Sequence, residues 1–130
     1  YGYKYINADI KELLGKTIIS IDGGEVEGGE IIFSCSDGSI YKMYHEQECC
    51  ENVYIEDVCG NLEDLLNSPI TMAEDISNDC DKKELDGWTY SYTWTWYKFA
   101  TVKGYVTIRW YGESNGWYSE SVDFARVESR

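Results

Sequence analysis

The stretch Tyr105-Val-Thr-Ile-Arg-Trp-Tyr-Gly-Glu-Ser-Asn-Gly-Trp117 alternates side-chain character and reads as a strand running into a tight hairpin. At a period of two, Val106, Ile108 and Trp110 share a face suited to a core. Tyr105, Thr107, Arg109 and Tyr111 share the opposite face. Asn115-Gly116 is a type I′ turn signal, because both central positions of that turn need positive φ. It predicts that residues 117–127 return as the last strand.

Upstream, residues 88–99 alternate just as clearly. Trp88, Tyr90, Tyr92, Trp94 and Trp96 take one face, while Thr89, Ser91, Thr93 and Thr95 take the other. Lys103-Gly104 is the turn between this strand and the one that follows. Residues 16–22 and 30–35 read as strands around a glycine-rich turn, and Ser36-Asp37-Gly38-Ser39 turns the chain into a strand at 40–45, making a three-strand meander. In the segment after His45, Val53 and Ile55 share one alternating face that Asp57 continues; Tyr54, Glu56 and Val58 share the other. Residues 70–76 read as a strand and 77–87 as a polar loop.

Two short helices are expected. Asn7 or Asp9 caps one carrying Ile10, Leu13 and Leu14, with Gly15 as its stop. Asn61 caps another carrying Leu62, Leu65 and Leu66, ended before Pro69. The expected class is therefore α+β: mainly antiparallel β-sheet with one or two short helices, in a single domain over residues 1–130.

Composition narrows the function. The chain has 43% apolar residues and one proline, so it can build a packed core, and it holds no apolar run long enough for a membrane span. No signal peptide is visible in the opening Tyr1-Gly-Tyr-Lys-Tyr, and the missing start Met reads as trimming or processing. The net charge is −13, unevenly spread. Residues 46–86 carry thirteen acids and two lysines, a net of −11; residues 87–130 carry four acids and five bases, a net of +1. All three arginines and thirteen of the twenty aromatic residues lie in that last third. Such acidity excludes polymeric DNA or RNA as a partner but leaves room for a small nucleotide in the near-neutral third. Five cysteines (Cys35, Cys49, Cys50, Cys59 and Cys80) do not make a secreted disulfide framework, which points to a reducing cytoplasm. His45 with Cys49, Cys50 and Cys59 lacks zinc-site spacing, so no metal is expected.

Catalytic motifs are equally thin. His45 is the one histidine, and no glycine elbow, P-loop or G-x-G-x-x-G accompanies it, so a structural role is the commoner reading. The pairs Glu56-Asp57, Glu63-Asp64 and Glu74-Asp75 read mainly as solvated surface, with Asp57 placed for partial burial. By pattern alone, the face of Tyr105 and Arg109 is more commonly an ordinary solvated strand, and Asn115 more commonly a turn residue than a ligand contact. Yet the rings of residues 88–99 outnumber what one face of a small sheet can hide, which predicts a subunit interface as well as a core.

Met43-Tyr-His-Glu-Gln-Glu-Cys-Cys-Glu-Asn-Val-Tyr-Ile-Glu-Asp-Val-Cys-Gly60 and Lys103-Gly-Tyr-Val-Thr-Ile-Arg-Trp-Tyr-Gly-Glu-Ser-Asn-Gly-Trp-Tyr-Ser-Glu-Ser-Val-Asp123 give the chain a likeness over residues 12–127. It resembles a family of small phage-encoded proteins that includes the first-described Thoeris anti-defence proteins. The resemblance implies a sponge acting in the cytoplasm of the infected bacterial host. Such proteins bind cyclic ADP-ribose isomers made by bacterial TIR enzymes and withhold them uncleaved. It further implies a homo-oligomer with ligand pockets between subunits, and in some members a second site for cyclic oligonucleotides. No catalytic residue and no cofactor is implied. The family's base-stacking aromatic, arginine and asparagine fall on Tyr105, Arg109 and Asn115. The aromatic is Phe in the family, so Tyr105 departs from it while keeping a ring that stacks.

Stacking is worth about 1–3 kcal/mol per base, and a charge-assisted phosphate pair about 1.5–3 kcal/mol. Together they reach only the micromolar scale of about −8 kcal/mol, so a tight sponge needs a second subunit to close its pocket. Two other readings of the sequence compete. In one, the acids of residues 46–86 mimic nucleic acid and inhibit a host protein. In the other, His45 acts as the base of a hydrolase that destroys the same signal.

Overall fold

In the computed structural model, residues 3–85, 88–115 and 118–129 are described. Nine strands form two antiparallel sheets. The first has the order β1-β9-β4-β3-β2, from β1 (Tyr3–Asn7), β9 (Asp123–Ser129), β4 (Ile40–Tyr44), β3 (Glu30–Cys35) and β2 (Ile18–Gly23). The second has the order β5-β8-β7-β6, from β5 (Asn52–Cys59), β8 (Gly104–Ser114), β7 (Trp88–Thr101) and β6 (Met72–Leu85). The meander of β2, β3 and β4 follows the turn chemistry of the sequence, with Asp37 Oδ1 accepting from Ser39 N at 2.9 Å and Gly38 at φ +90°.

The sheets pack face to face. Ile31, Phe33, Tyr41, Met43 and Phe124 come from the first; Ile55, Tyr97, Phe99, Val106, Ile108 and Trp110 come from the second. Phe33 meets Phe99 with ring centroids 6.0 Å apart, and Trp110 Nε1 lies 3.2 Å from Met43 Sδ. The period-two reading of β8 holds: Val106, Ile108 and Trp110 are buried, while Tyr105 is open to solvent.

Four sequence expectations are corrected. The two expected helices are single 3-10 turns, Ile10–Leu13 and Leu62–Leu65, and no α-helix occurs among the described residues. Their caps are those expected: Asp9 accepts from Lys11 N at 2.9 Å, and Asn61 accepts from Glu63 N at 3.0 Å. Each has room for one turn before the chain joins the isolated bridges Leu14↔Ile70 and Ile18↔Leu66, too short to repay α-helix nucleation. Second, the polar stretch from Ser77 to Leu85 is strand, not loop, because β7 offers a full-length partner (Ser77↔Thr95, Asn78↔Trp94); Asp86 and Gly87 lie outside the described residues.

Third, the last strand does not return along β8. It crosses to the first sheet and pairs with β4 and β1, burying Phe124 and Ala125 there. Gly116 and Trp117 of the expected turn lie outside the described residues. Fourth, β5 bulges between Ile55 and Asp57, so Val58 rejoins Ile108 on the inner face and Asp57 pairs with Arg109 on the exposed outer one. Strand β1, which the sequence pattern did not flag, adds an edge to the first sheet through Ile6↔Arg126 and its neighbours.

Candidate functional site

The inner face of β7 is its threonine side: Thr93 and Thr95 are buried, followed by Tyr97 and Phe99. Tyr92, Trp94 and Trp96 therefore face outward and join the outward residues of β8 and β5. Tyr92 meets Trp94 at 5.5 Å between centroids, Trp94 meets Tyr111 at 5.4 Å, and Tyr111 meets Tyr54 at 5.7 Å. This row of rings crosses three strands. Tyr111 donates to Glu113 Oε2 at 3.0 Å; burial, then that hydrogen bond and the Glu113 charge, push its phenol pKa well up, so it stays a donor.

Arg109 lies beside the row. Its cross-strand partner on β7 is Trp96, and its guanidinium Nε donates to Glu56 Oε1 at 2.7 Å. The same carboxylate oxygen accepts from Trp94 Nε1 at 3.1 Å. No residue among those described takes the Nη groups of Arg109. The guanidinium is thus half-exposed, anchored on one edge and open on the fork that pairs a phosphate bidentately.

Glu56 corrects the charge map read from sequence. Residues 87–130 do not keep all acids away from Arg109, because β5 belongs to the acidic segment and pairs directly with β8. The bulge brings Glu56 and Asp57 to Arg109 together. Glu56, Trp94, Trp96 and Tyr54 are the members of this face that sequence reasoning missed as site residues; Tyr111 was already placed on the face of Tyr105 and Arg109. The outward ring stripe of β7 was visible, but its pairing with β5 through β8 was not.

The three expected ligand residues occupy different parts of β8. Tyr105 is 74% exposed at its start, Arg109 is at its middle, and Asn115 is exposed just past its far end. The nine residue steps of extended strand from Tyr105 to Ser114 span about 30 Å. One copy of the chain brings Tyr105 and Arg109 onto a common face but does not bring Asn115 to the same point.

His45 sits in a separate cluster on the β4–β5 connection. Its buried ring places Nδ1 2.7 Å from the Ser121 carbonyl and Nε2 3.4 Å from Glu51 Oε1. Burial would raise the Glu51 carboxyl, but donation from Glu48 N (2.6 Å) and Cys49 N (3.2 Å), with His45 alongside, outweighs it and holds the pKa below the usual range. Cys49 and Cys50 form a disulfide between adjacent residues, a pairing the cysteine count did not foresee and one that ties no two elements together. Cys59 is exposed at the opposite end of β5, so the zinc set considered from sequence does not converge. No group of three His, Cys, Asp or Glu suited to a metal occurs among the described residues, and no helix there is long and apolar enough to cross a membrane.

Fold and face together define a two-sheet antiparallel β protein with a half-buried aromatic–arginine surface on its second sheet. The chain belongs to the family described as a domain of unknown function (DUF7448), which matches residues 11–124. No curated protein and no solved structure matches it.

Proposed function

We propose that this protein binds and sequesters a cyclic nucleotide signal, a cyclic ADP-ribose isomer, without cleaving it, and so blocks an anti-phage defence in the cytoplasm of the infected bacterial host. The observation that carries the reading is Arg109. Its fork is open, Trp96 stands opposite on β7, and Tyr105 lies four residues along the same face. Rings take the base by stacking, and the guanidinium takes the pyrophosphate. The resemblance to the phage anti-defence proteins supplies the ligand class.

Because Asn115 stands a strand-length away from Tyr105, the proposed pocket is completed by a second copy of the chain, with Asn115 coming from the partner. A homo-oligomer is therefore part of the proposal. The half-buried ring row of Tyr92, Trp94, Tyr111 and Tyr54 offers apolar surface for that contact.

The charge-mimic alternative needs the acids of residues 46–86 on one exposed surface. Glu51 is buried and Glu56 is engaged by Arg109, which favours the sponge reading. The hydrolase alternative needs His45 in reach of a ligand, and its ring is buried against Ser121 and Glu51.

The test is to mix the protein with the 1″–2′ and 1″–3′ cyclic ADP-ribose isomers, remove free ligand, denature by heat and analyse what is released. Intact isomer is the expected product. A cleaved product would favour the hydrolase, and no retained ligand would favour the charge mimic.

A further inference from the structure

His45 is the one histidine of the chain, and its side chain is 4% exposed. Glu51, whose side chain is fully buried, stands beside it on the β4–β5 connection. The ring meets an oxygen at each nitrogen: the Ser121 carbonyl lies 2.7 Å from Nδ1, and Glu51 Oε1 lies 3.4 Å from Nε2. Nε2 of His45 and Oε2 of Glu51 are buried and have no hydrogen-bond partner among the described residues. A neutral imidazole carries one N–H and one lone pair. With its proton on Nδ1, the Nε2 lone pair faces a carboxylate; with it on Nε2, the Nδ1 lone pair faces a carbonyl. Either neutral form sets two acceptors against each other in a buried place, which is costly. The imidazolium alone donates on both sides.

What the ring holds is the chain between β8 and β9. Ser121 lies on that connection, and Glu46 N, next to His45, donates to Asp123 Oδ2 at 2.9 Å where β9 begins. On the other side of Ser121, Glu120 is buried and accepts from Thr93 Oγ1 at 2.8 Å and from Ser114 Oγ. Ser114 ends β8 and is the covalent neighbour of Asn115. A short path of contacts therefore runs from the imidazole through Ser121, Glu120 and Ser114 to Asn115.

We propose that His45 is the positioning residue of a proton-operated latch: as the imidazolium it clamps the Ser121 carbonyl and pairs with Glu51, fixing the chain that presents Asn115, and loss of the ring's second proton releases that chain. The part given to Asn115 rests on the sequestration reading above; the latch itself does not. The surrounding charges favour the closed form. Glu46 and Glu48 lie on the ring's own connection, Asp123 at the start of β9, and Glu120 next to Ser121. On β4, burial and then the Glu46 and Asp123 charges raise the Tyr44 phenol, while Lys42 is taken up by Glu30 and the rings of Tyr5 and Tyr44. Burial opposes the charge on Glu51, but the N–H groups of Glu48 and Cys49 on Oε1 outweigh it and hold its pKa below the usual range. The latch is thus closed from the pH at which Glu51 ionises up to the pH at which the ring becomes neutral, and it opens as pH rises further.

A pH titration of the ligand-free wild type by NMR tests the latch, since the single imidazole needs no assignment. Both ring N–H protons should be observed at about pH 6, on the acid side of the ordinary imidazole range. As pH rises the ring should lose the Nε2 proton and keep Nδ1–H, and the amides of Ser121, Glu120 and Asn115 should shift along the same curve. His45→Gln should abolish that shared curve. A ring that keeps Nε2–H instead, or amides that do not follow the ring, would overturn the proposal without any variant having to fold. The coupling to the site is read by calorimetry with the 1″–2′ and 1″–3′ cyclic ADP-ribose isomers at about pH 6 and about pH 8.5. Wild-type affinity should fall at least about fivefold at the higher pH, the low end of coupling between two sites, and His45→Gln should show no such fall. Equal affinity of the wild type at both pH values would overturn the coupling. Binding of neither isomer at either pH would defeat the sequestration reading, while the ligand-free titration still decides the latch.

Discussion

Arg109 Nε and Glu56 Oε1 lie 2.7 Å apart across β8 and β5, at the point where β5 carries its bulge. The pair is partly exposed on both sides, so it adds only about 0–1 kcal/mol to stability. Its consequence is electrostatic. A carboxylate that orients the guanidinium also repels any phosphate the guanidinium is to bind.

Replacing Glu56 with Gln keeps a hydrogen-bond acceptor and removes that repulsion. We expect Glu56→Gln to bind a cyclic ADP-ribose isomer several-fold more tightly, with an unfolding midpoint near that of the wild type. Calorimetry and urea denaturation check the two halves of this statement.

Tyr105→Ala removes a ring that is 74% exposed, so stability should stay within about 0.5 kcal/mol while ligand affinity falls. Trp110→Ala, on the buried side of the same strand, should cost about 3–5 kcal/mol by leaving a cavity against Met43. Urea unfolding of the two variants separates the faces of β8.

Subunit sharing of the pocket predicts complementation. Tyr105→Ala and Asn115→Ala should each bind poorly alone. After unfolding and refolding together they should regain part of the binding, because some mixed oligomers carry one intact pocket. No recovery in the mixture would place all ligand contacts within one copy.

The pH dependence follows from Glu51. Its folded pKa lies below the ordinary value of 4.5, so the folded state binds fewer protons than the unfolded one as pH drops through that range. The stability it contributes is present above its unfolded pKa and lost as pH falls through the folded one. Glu51→Gln should therefore flatten the acid limb of a stability–pH curve measured by urea unfolding.

How much of this was legible depended on whether local chemistry decided the outcome. The alternation of β8 predicted its buried side because Val106, Ile108 and Trp110 have no other way to leave water. Asp9 and Asn61 announced their turns because capping is a short-range interaction. The destination of β9 was not legible. A turn signal at Asn115 says nothing about whether the following strand pairs with β8 or crosses to β4, and the burial of Phe124 against Tyr41 is a non-local contact. The strand character of the polar β6 residues was hidden for the same reason, since β7 supplies it. At the candidate site, Arg109 could be singled out from its aromatic neighbours. Glu56 could not, because one inserted residue in β5 shifts the alternation and decides which acid reaches the guanidinium.

The central claim rests on Arg109, and calorimetric titration of the wild type and Arg109→Ala with the 1″–2′ and 1″–3′ cyclic ADP-ribose isomers tests it most directly. The account predicts tight, saturable binding of at least one isomer by the wild type and its loss in the variant. Equal binding by both proteins, or no heat from either isomer with the wild type, would contradict it.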